Sequence, residues 1–590
     1  MAEGNLATRL RTNSCGELTE KFVDKKVKIC GWVNTRRDHG GVIFIDLRDR
    51  YGNTQLIFNP ESKFFKEADK LRREDVISIE GVVKKRPKGM ENPKIKTGHI
   101  EIKVNNLEIL NQSETPPIEI DDRTEASEEL RLKYRYLDLR RPVMQERLRT
   151  RHNVITAVRE FMNSQNFLEI ETPMLVKTTP GGARVFKVPS RAHPGKFYAL
   201  PESPQLYKQL LMVSGCDRYY QIARCLRDED LRADRQPEFT QVDIEMSFID
   251  VEDIQNVVEG LLKHAFKKAL GKEIKTPFQR ISYEESMERF GSDKPDLRFS
   301  LELKDVTKEV KKSDFSVFKE AEMVKCLCVE NGAKFSRKDI DELESFVKIY
   351  KAKGLAYFKI QNKKLESSIA KYFKDDLQKE IIKKTNAKEG DLLLFIADNS
   401  DVVYGSLGAL RVELGKRLNL YDPNEFKFCW VVDFPLYELV DGKWEAKHHI
   451  FSMPKSEDMK HLESNPSKVR GKLYDVVLNG IEIGGGSIRI HKKEIQTKIL
   501  KIIGLSYEEA QKKFDFLLNA FQYGAPPHGG IALGLDRVVA LMCGLNDIRE
   551  IIAFPKNKAA ENPMDGSPQD WMPSQLKELN IKLEFIKDKL

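Results

Sequence analysis

The features that are scarce in this chain narrow its possibilities first. In 590 residues, 40% are hydrophobic and 32% charged, and no apolar run approaches the roughly 20 residues that a bilayer span needs. The N-terminus, MAEGNLATRLRTNSC, lacks the apolar core of a secretory signal, so a cytoplasmic location without membrane attachment is expected. Cysteine is sparse: eight residues, at 15, 30, 216, 225, 326, 328, 429 and 543, of which only Cys326 and Cys328 are neighbours. That spacing matches no zinc module, and the thiols read as buried or incidental. An excess of one charge is nearly missing too. With 99 basic against 91 acidic residues the net charge is +8, which permits a polyanionic partner without demanding one.

What is present is organised in blocks, and the length alone implies several cores. Between Val27 and Asn111 lie five segments of strand character, VKICGWV, VIFIDLRD, TQLIFN, DVISIEGVV and HIEIKVNNLEI, with turn residues such as Gly40-Gly41 and Gly52-Asn53 between them. Short strands so punctuated suggest a small closed barrel, and the oligonucleotide-binding (OB) fold has five strands; a barrel without a ligand is the alternative. A polar linker follows. From Gln145 an amphipathic helix is expected, with Leu148, Ile155, Val158 and Met162 on one face, ending before FLEIETP. Residues 300–420 change character, with lysine-rich helical patterns and the glycine-containing VVYGSLGALRVELGKRL, and read as an insertion. The expected architecture is α+β and multidomain: barrel 1–110, linker 111–140, catalytic halves 141–299 and 421–556 on an antiparallel sheet, an α/β insert 300–420 between them, and a C-terminal extension 557–590.

The most informative stretch is RYYQIARCLRDEDLRADRQPEFTQVDIEMSF, residues 218–248. It reads as two strands joined by a charged loop. On the second strand Val242, Ile244 and Met246 alternate with Gln241, Asp243 and Glu245, so the polar set projects from one sheet face. Arg227, Arg232 and Arg235 nearby suggest anion binding beside those acids. Further on, YDVVLNGIEIGGGSIRIH reads as a strand carrying Asp475, a turn at Asn479-Gly480 and a second strand carrying Glu482. Glycines 484 to 486 either let the backbone approach a ligand closely or mark a β-bulge.

Three of these patterns, in order, resemble the signature motifs of class II aminoacyl-tRNA synthetases. The helix ending in Pro173 resembles motif 1, Arg227-Asp228-Glu229 with Arg235 and Phe239 resembles motif 2, and Gly534-Leu535-Asp536-Arg537 resembles motif 3. The preceding barrel is similar to that of the aspartate, asparagine and lysine subgroup, and the insert to that of bacterial-type aspartyl-tRNA synthetases. The resemblance covers nearly the whole chain and implies activation of L-aspartate with ATP, loading onto tRNA, and a homodimer built on motif 1.

Residue by residue, the resemblance implies that Arg227 and Arg537 are catalytic. Arg227 would bridge the α-phosphate and the amino acid carboxylate, while Glu229 reads the adenine amino group between Phe239 and Arg537. Asp228, Gln236, Glu482, Gly534, Leu535 and Asp536 complete the expected ATP contacts. Asp475 and Glu482 match magnesium ligands, a hard cation taking oxygen donors. Aspartate would meet Lys208 and Arg489 with its side chain, and Ser203, Gln205 and Asp243 with its ammonium, under His448 and the neighbouring His449. One departure stands out: where the family has TPEGAR, this chain has Thr179-Pro180-Gly181-Gly182-Ala183-Arg184, so Gly181 replaces a glutamate that contacts the substrate ammonium.

For tRNA, Arg37, Phe44 and Gln55 match anticodon contacts, with Phe44 either stacking on a base or buried in the barrel core. His39 stands where strict enzymes carry leucine, and the 86–93 segment RPKGMENP resembles the RPxGxxNP of relaxed ones, with Gly89 in it. Both imply acceptance of tRNA(Asn) as well as tRNA(Asp), and a partner amidotransferase to convert the product. The rivals are a strict tRNA(Asp) enzyme, an asparagine or lysine enzyme, and a nucleic-acid-binding paralogue without catalysis. Lys208 with Arg489 speaks against the second, and Arg227 with Arg537 against the last.

Overall fold

The computed structural model describes residues 6–178 and 184–584. Two compact units form, one from the described residues up to Leu148 with Glu561–Pro568, the other from Arg149–Ala560 with the described residues after Gln569.

In the first unit, strands Lys26–His39, Val42–Asp49, Gly52–Phe58, Ile100–Asn111 and Val76–Lys85 close, in that spatial order, into a five-stranded barrel. Period-2 alternation explains it. Val27, Ile29, Ile43, Ile45, Leu47, Leu56, Phe58, Ile77, Ile79 and Ile102 fill the interior while their neighbours face outward. The hairpin between the first two strands turns on Gly40 and Gly41, whose φ values of 63° and 84° give the left-handed turn that matches strand twist.

The second unit is built on an eight-stranded sheet in the order Gln279–Ser282, Phe428–Val432, Leu473–Leu478, Ile481–Ile488, His528–Gly534, Glu238–Ser247, Arg218–Leu226 and Leu168–Glu169. It is antiparallel except for the outermost pair at each end. Helices Pro142–Ser164 and Val251–Leu270 cover one face, where Val154, Val158, Met162, Val258 and Phe266 pack on Val242, Ile244, Val476 and Ile531. The first helix begins three residues before the expected Gln145, since Pro142 suits a first turn whose N–H groups are unpaired anyway. The opposite face carries the polar residues of the alternation and is left to the cavity described below.

Residues 303–398 contribute a second, five-stranded antiparallel sheet with apolar clusters on both faces. The glycine-containing segment of the insert is a helix, Ser400–Arg417. Its glycines serve close packing: a Cβ on Gly408 would lie 2.4 Å from the Gly291 carbonyl oxygen, and one on Gly415 2.7 Å from the Phe299 ring. Among the described residues no helix is long and apolar enough to cross a membrane.

Candidate active site

The open face of the eight-stranded sheet forms the floor of a cavity of about 570 Å³. At one end the cations Lys208 and Arg489 sit with 1% and 5% of their side chains exposed. Lys208 Nζ is 2.7 Å from Asp243 Oδ1 and 3.2 Å from Glu245 Oε2. Arg489 donates to Glu245 through Nε at 2.9 Å and Nη2 at 3.2 Å, and through Nη1 to Ser487 Oγ at 2.6 Å. Two cations therefore face two acids. Burial would raise Glu245, but Arg489 and Lys208 hold it below the ordinary carboxylate range, whereas burial wins at Asp243 and raises it. Asp243 Oδ2 and Gln205 Nε2 are buried without a hydrogen-bond partner, which leaves an acceptor and a donor for a ligand. Of the two histidines lining the cavity, His449 lies at this end, where burial followed by the Arg489 and Lys208 charges pushes it down to about 3, so it is neutral near pH 7; His448 stands by the acid pair instead, its Nδ1 3.9 Å from Asp475 Oδ1 and its side chain 25% exposed.

At the other end Arg227 lies over the Phe239 ring, 4.9 Å from its centroid, with its Nε buried and unpaired. Arg537 donates to the Glu482 carbonyl at 2.9 Å and to Asp234 Oδ2 at 3.1 Å. Between the ends stands the acid pair. Asp475 is buried, its Oδ1 has no hydrogen-bond partner, and burial followed by the Glu482 charge pushes it well above its ordinary value. A Cβ on Gly485 would lie 2.4 Å from that Oδ1 and 3.9 Å from Glu482 Oε1, so the glycine keeps open a cradle between the two carboxylates. Oxygen donors, an orphaned buried acceptor and room beside it fit a hard divalent cation. Both readings of the glycines apply, because the register shifts between Val476 and Val477, placing an extra residue, Ile483, opposite them.

Comparison with known proteins decides the family. The family model described as tRNA synthetases class II (D, K and N) matches residues 127–558, and that of the OB-fold nucleic acid binding domain matches 27–110. An aspartate–tRNA(Asp/Asn) ligase of Thermoanaerobacter pseudethanolicus is 54% identical over 98% of this chain and 98% of its own. The chain belongs to the aspartyl-tRNA synthetases of class II. A further relative, an aspartate–tRNA ligase of Ruminiclostridium cellulolyticum, is 51% identical over 97% of this chain and 98% of its own. Among solved structures, asparaginyl-tRNA synthetase from Pyrococcus horikoshii complexed with asparaginyl-adenylate superposes with a TM-score of 0.59 at 21% identity, covering 92% of this chain and 97% of that one, a likeness of fold.

Within the synthetase, most residues expected at the site do line one cavity: Ser203, Gln205, Lys208, Arg227, Glu229, Gln236, Phe239, Asp243, His448, Asp475, Glu482, Arg489, Gly534 and Arg537. Three of the expected ATP residues stand apart from the others. Asp228 is not among the residues lining the cavity, and its N–H donates to the Arg184 carbonyl. Leu535 is 1% exposed and belongs to the apolar core. Asp536 reaches the cavity wall, but its carboxylate is spent on Arg151 and on the Thr240 N–H, so it fixes the helix start beside Arg537. Gln236 is likewise engaged, exchanging two hydrogen bonds with the Lys556 backbone. Gly181 lies outside the described residues.

On the barrel, Phe44 alternates with the interior residues Ile43 and Ile45 on its strand and so points outward, which removes the core alternative. Arg37 stands opposite it and donates to Asp46 at 3.0 Å and to Gln55 Oε1 at 3.3 Å, while Gln55 Nε2 donates to Glu101. His39 is exposed, its ring 6.2 Å from that of Phe44. Gly89 has a φ of +86°, and a Cβ there would meet nothing of the protein within 4 Å, so the backbone turn itself favours glycine.

Sequence reasoning passed over Glu245, Asp293, Lys294 and Ser487. Glu245 carried a signal, standing in the same alternation as Gln241 and Asp243, and Ser487 follows the three glycines on a strand already assigned to the site; Asp293 and Lys294 lie in a segment whose place beside the cavity only the fold reveals.

Proposed function

We propose that the cavity activates L-aspartate with ATP and that the chain transfers the aspartyl group to the 3′ end of tRNA(Asp) and also of tRNA(Asn). The observation that carries the first part is the buried end wall, where Lys208 and Arg489 meet a short carboxylate while Asp243 keeps one oxygen free for an ammonium group. A neutral carboxamide forfeits the charge-assisted contact and so binds more weakly. Ser203 and Gln205 hold the same end, and the neutral His449 closes it, with His448 over the acid pair.

Arg227 bridges the aspartate carboxylate and the α-phosphate, bringing the attacking oxygen in line. Glu229 reads the adenine edge, Phe239 supports its ring, and Arg537 binds the far phosphates. Asp475 and Glu482 would hold magnesium, which, when bound, neutralises polyphosphate charge that otherwise repels the incoming carboxylate. The carboxylate is already ionised, so no protein base is needed, and positioning with electrostatics supplies the catalysis. Pyrophosphate leaves as the aspartyl-adenylate forms; the tRNA 3′ hydroxyl then attacks the adenylate carbonyl, AMP leaves, and its phosphate takes the proton. Pyrophosphate exchange into ATP, dependent on aspartate and independent of tRNA, tests this; folded protein without exchange would leave a binding paralogue as the answer.

The tRNA(Asn) part rests on His39, on the 86–93 segment and on relatives named for both tRNAs. Charging a tRNA(Asn) transcript with aspartate tests it, and an efficiency about a hundredfold below tRNA(Asp), roughly 2.7 kcal/mol, marks a strict enzyme. A mischarged product requires an amidotransferase downstream. The exposed apolar Leu168, Met174 and Leu175 at the outer edge of the sheet support a homodimer through the motif 1 region.

A further inference from the structure

The neighbours Asp293 and Lys294 belong to none of the signature motifs. Asp293 lines the cavity, and the Lys294 ammonium lies 3.1 Å from Asp293 Oδ1 and 3.6 Å from Glu482 Oε2. One cation thus joins carboxylates from segments far apart in sequence, beside the buried Oδ1 of Asp475, which accepts no hydrogen bond and has His448 Nδ1 3.9 Å away. Three acids gathered this closely repel one another unless a positive charge sits among them, and here Lys294 supplies it.

The segment that presents Lys294 is clasped by the insert. From helix Ser400–Arg417, Arg411 donates to the carbonyls of Asp296 and Phe299 at 2.8 Å each and of Leu301 at 2.5 Å. Its guanidinium lies 4.9 Å from the Phe290 ring centroid and 4.0 Å from that of Phe299. The backbone is therefore held, while the Lys294 side chain keeps 39% of its surface exposed. A compact charge on a flexible four-carbon stem can exchange partners without moving its backbone.

We propose that Lys294 is the resident counter-cation of the Asp293 and Glu482 carboxylates, holding the place that a divalent cation takes, and that it turns onto the pyrophosphate end of ATP when the nucleotide arrives with its metal. This assignment rests on the activation reading above. It assigns the insert the task of holding a polyphosphate-binding residue at the cavity.

The test uses the full chain with Lys294→Met and Lys294→Arg, both checked by thermal unfolding. Titration with Mn²⁺ alone, followed by electron paramagnetic resonance, should show at least fivefold tighter binding in Lys294→Met, because the competing ammonium is gone. In aspartate-dependent pyrophosphate exchange the same variant should raise the ATP KM at least tenfold and leave the aspartate KM within twofold, and Lys294→Arg should bring the ATP KM back to within threefold. Mn²⁺ affinity that is unchanged or weaker, or an unchanged ATP KM, overturns the proposal. Absence of exchange in the wild type would overturn the activation reading instead, and the Mn²⁺ comparison would still decide whether Lys294 competes with a cation.

Discussion

In the cavity, Lys208 and Arg489 expose 1% and 5% of their side chains, whereas on the barrel Arg37 exposes 46%. Both regions answer cations with acids, Glu245 and Asp243 in one, Asp46 in the other, but the two pairings differ in energy. A buried, hydrogen-bonded pair that loses one partner leaves the other charge stranded, at about 3–5 kcal/mol, while a water-exposed pair contributes about 0–1 kcal/mol. The buried end therefore acts as a rigid template for one small anion. The exposed face can exchange its internal partners for an RNA at little cost, and its specificity has to come from stacking and base edges.

The largest expected effect breaks the cavity side of this comparison. Arg489→Leu should lower kcat/KM for aspartate at least a hundredfold in pyrophosphate exchange, since about 2–5 kcal/mol follows from truncating a buried charge pair, with the ATP KM within threefold. An aspartate KM and turnover like the wild type would remove Arg489 from the substrate site. Next comes the barrel. Phe44→Ala should cost about 1–3 kcal/mol of stacking in tRNA charging and nothing in exchange without tRNA; equal losses in both assays would mean that the residue stabilises the fold instead. Raising salt from low to high concentration should weaken tRNA binding strongly and leave the aspartate KM nearly unchanged, because buried pairs are little screened.

A smaller effect is expected for His39→Leu, about tenfold, or 1.4 kcal/mol, against tRNA(Asn) relative to tRNA(Asp), read by charging both transcripts. No change in the ratio would separate His39 from discrimination. The smallest effect concerns pH. His449 is held near 3, below its unfolded value near 6.5, so the unfolded chain binds more protons between those values. Its contribution to stability is complete above about pH 6.5 and is lost as pH falls toward 3, while exchange between pH 7 and 8 should show no ionisation from it. A histidine resonance titrating near 6.5 and assigned to His449 would contradict the burial that sets this value.

Much of the fold and of the site is legible in the order of the residues. The barrel strands, the alternation in 238–247 and the strand-turn-strand around Asp475 and Glu482 are periodic or punctuated patterns, and local sterics fix them. Glu245 shows the limit of such patterns: alternation put it on the polar face beside Asp243, but nothing local revealed that it would neutralise Lys208 and Arg489. Asp228, Leu535 and Asp536 show the reverse, motif neighbours that the fold leaves out of the cavity lining, buries or uses as a clamp.

The sequence by itself determined the family, the order of the motifs and the chemical types gathered for the site, because these depend on residue identity and short-range spacing. Only the tertiary structure decided the partnerships. Strand Ile481–Ile488 lies two places from Glu238–Ser247 across the sheet, with Arg489 just beyond its end, and that arrangement lets Arg489 reach Glu245. Helix Ser400–Arg417 packs on the segment that carries Lys294, and Arg151 from the first helix reaches Asp536. Charged side chains far apart in sequence find one another through sheet order and helix packing, which the burial of the apolar face sets, and the polar face must accept the neighbours that this packing supplies.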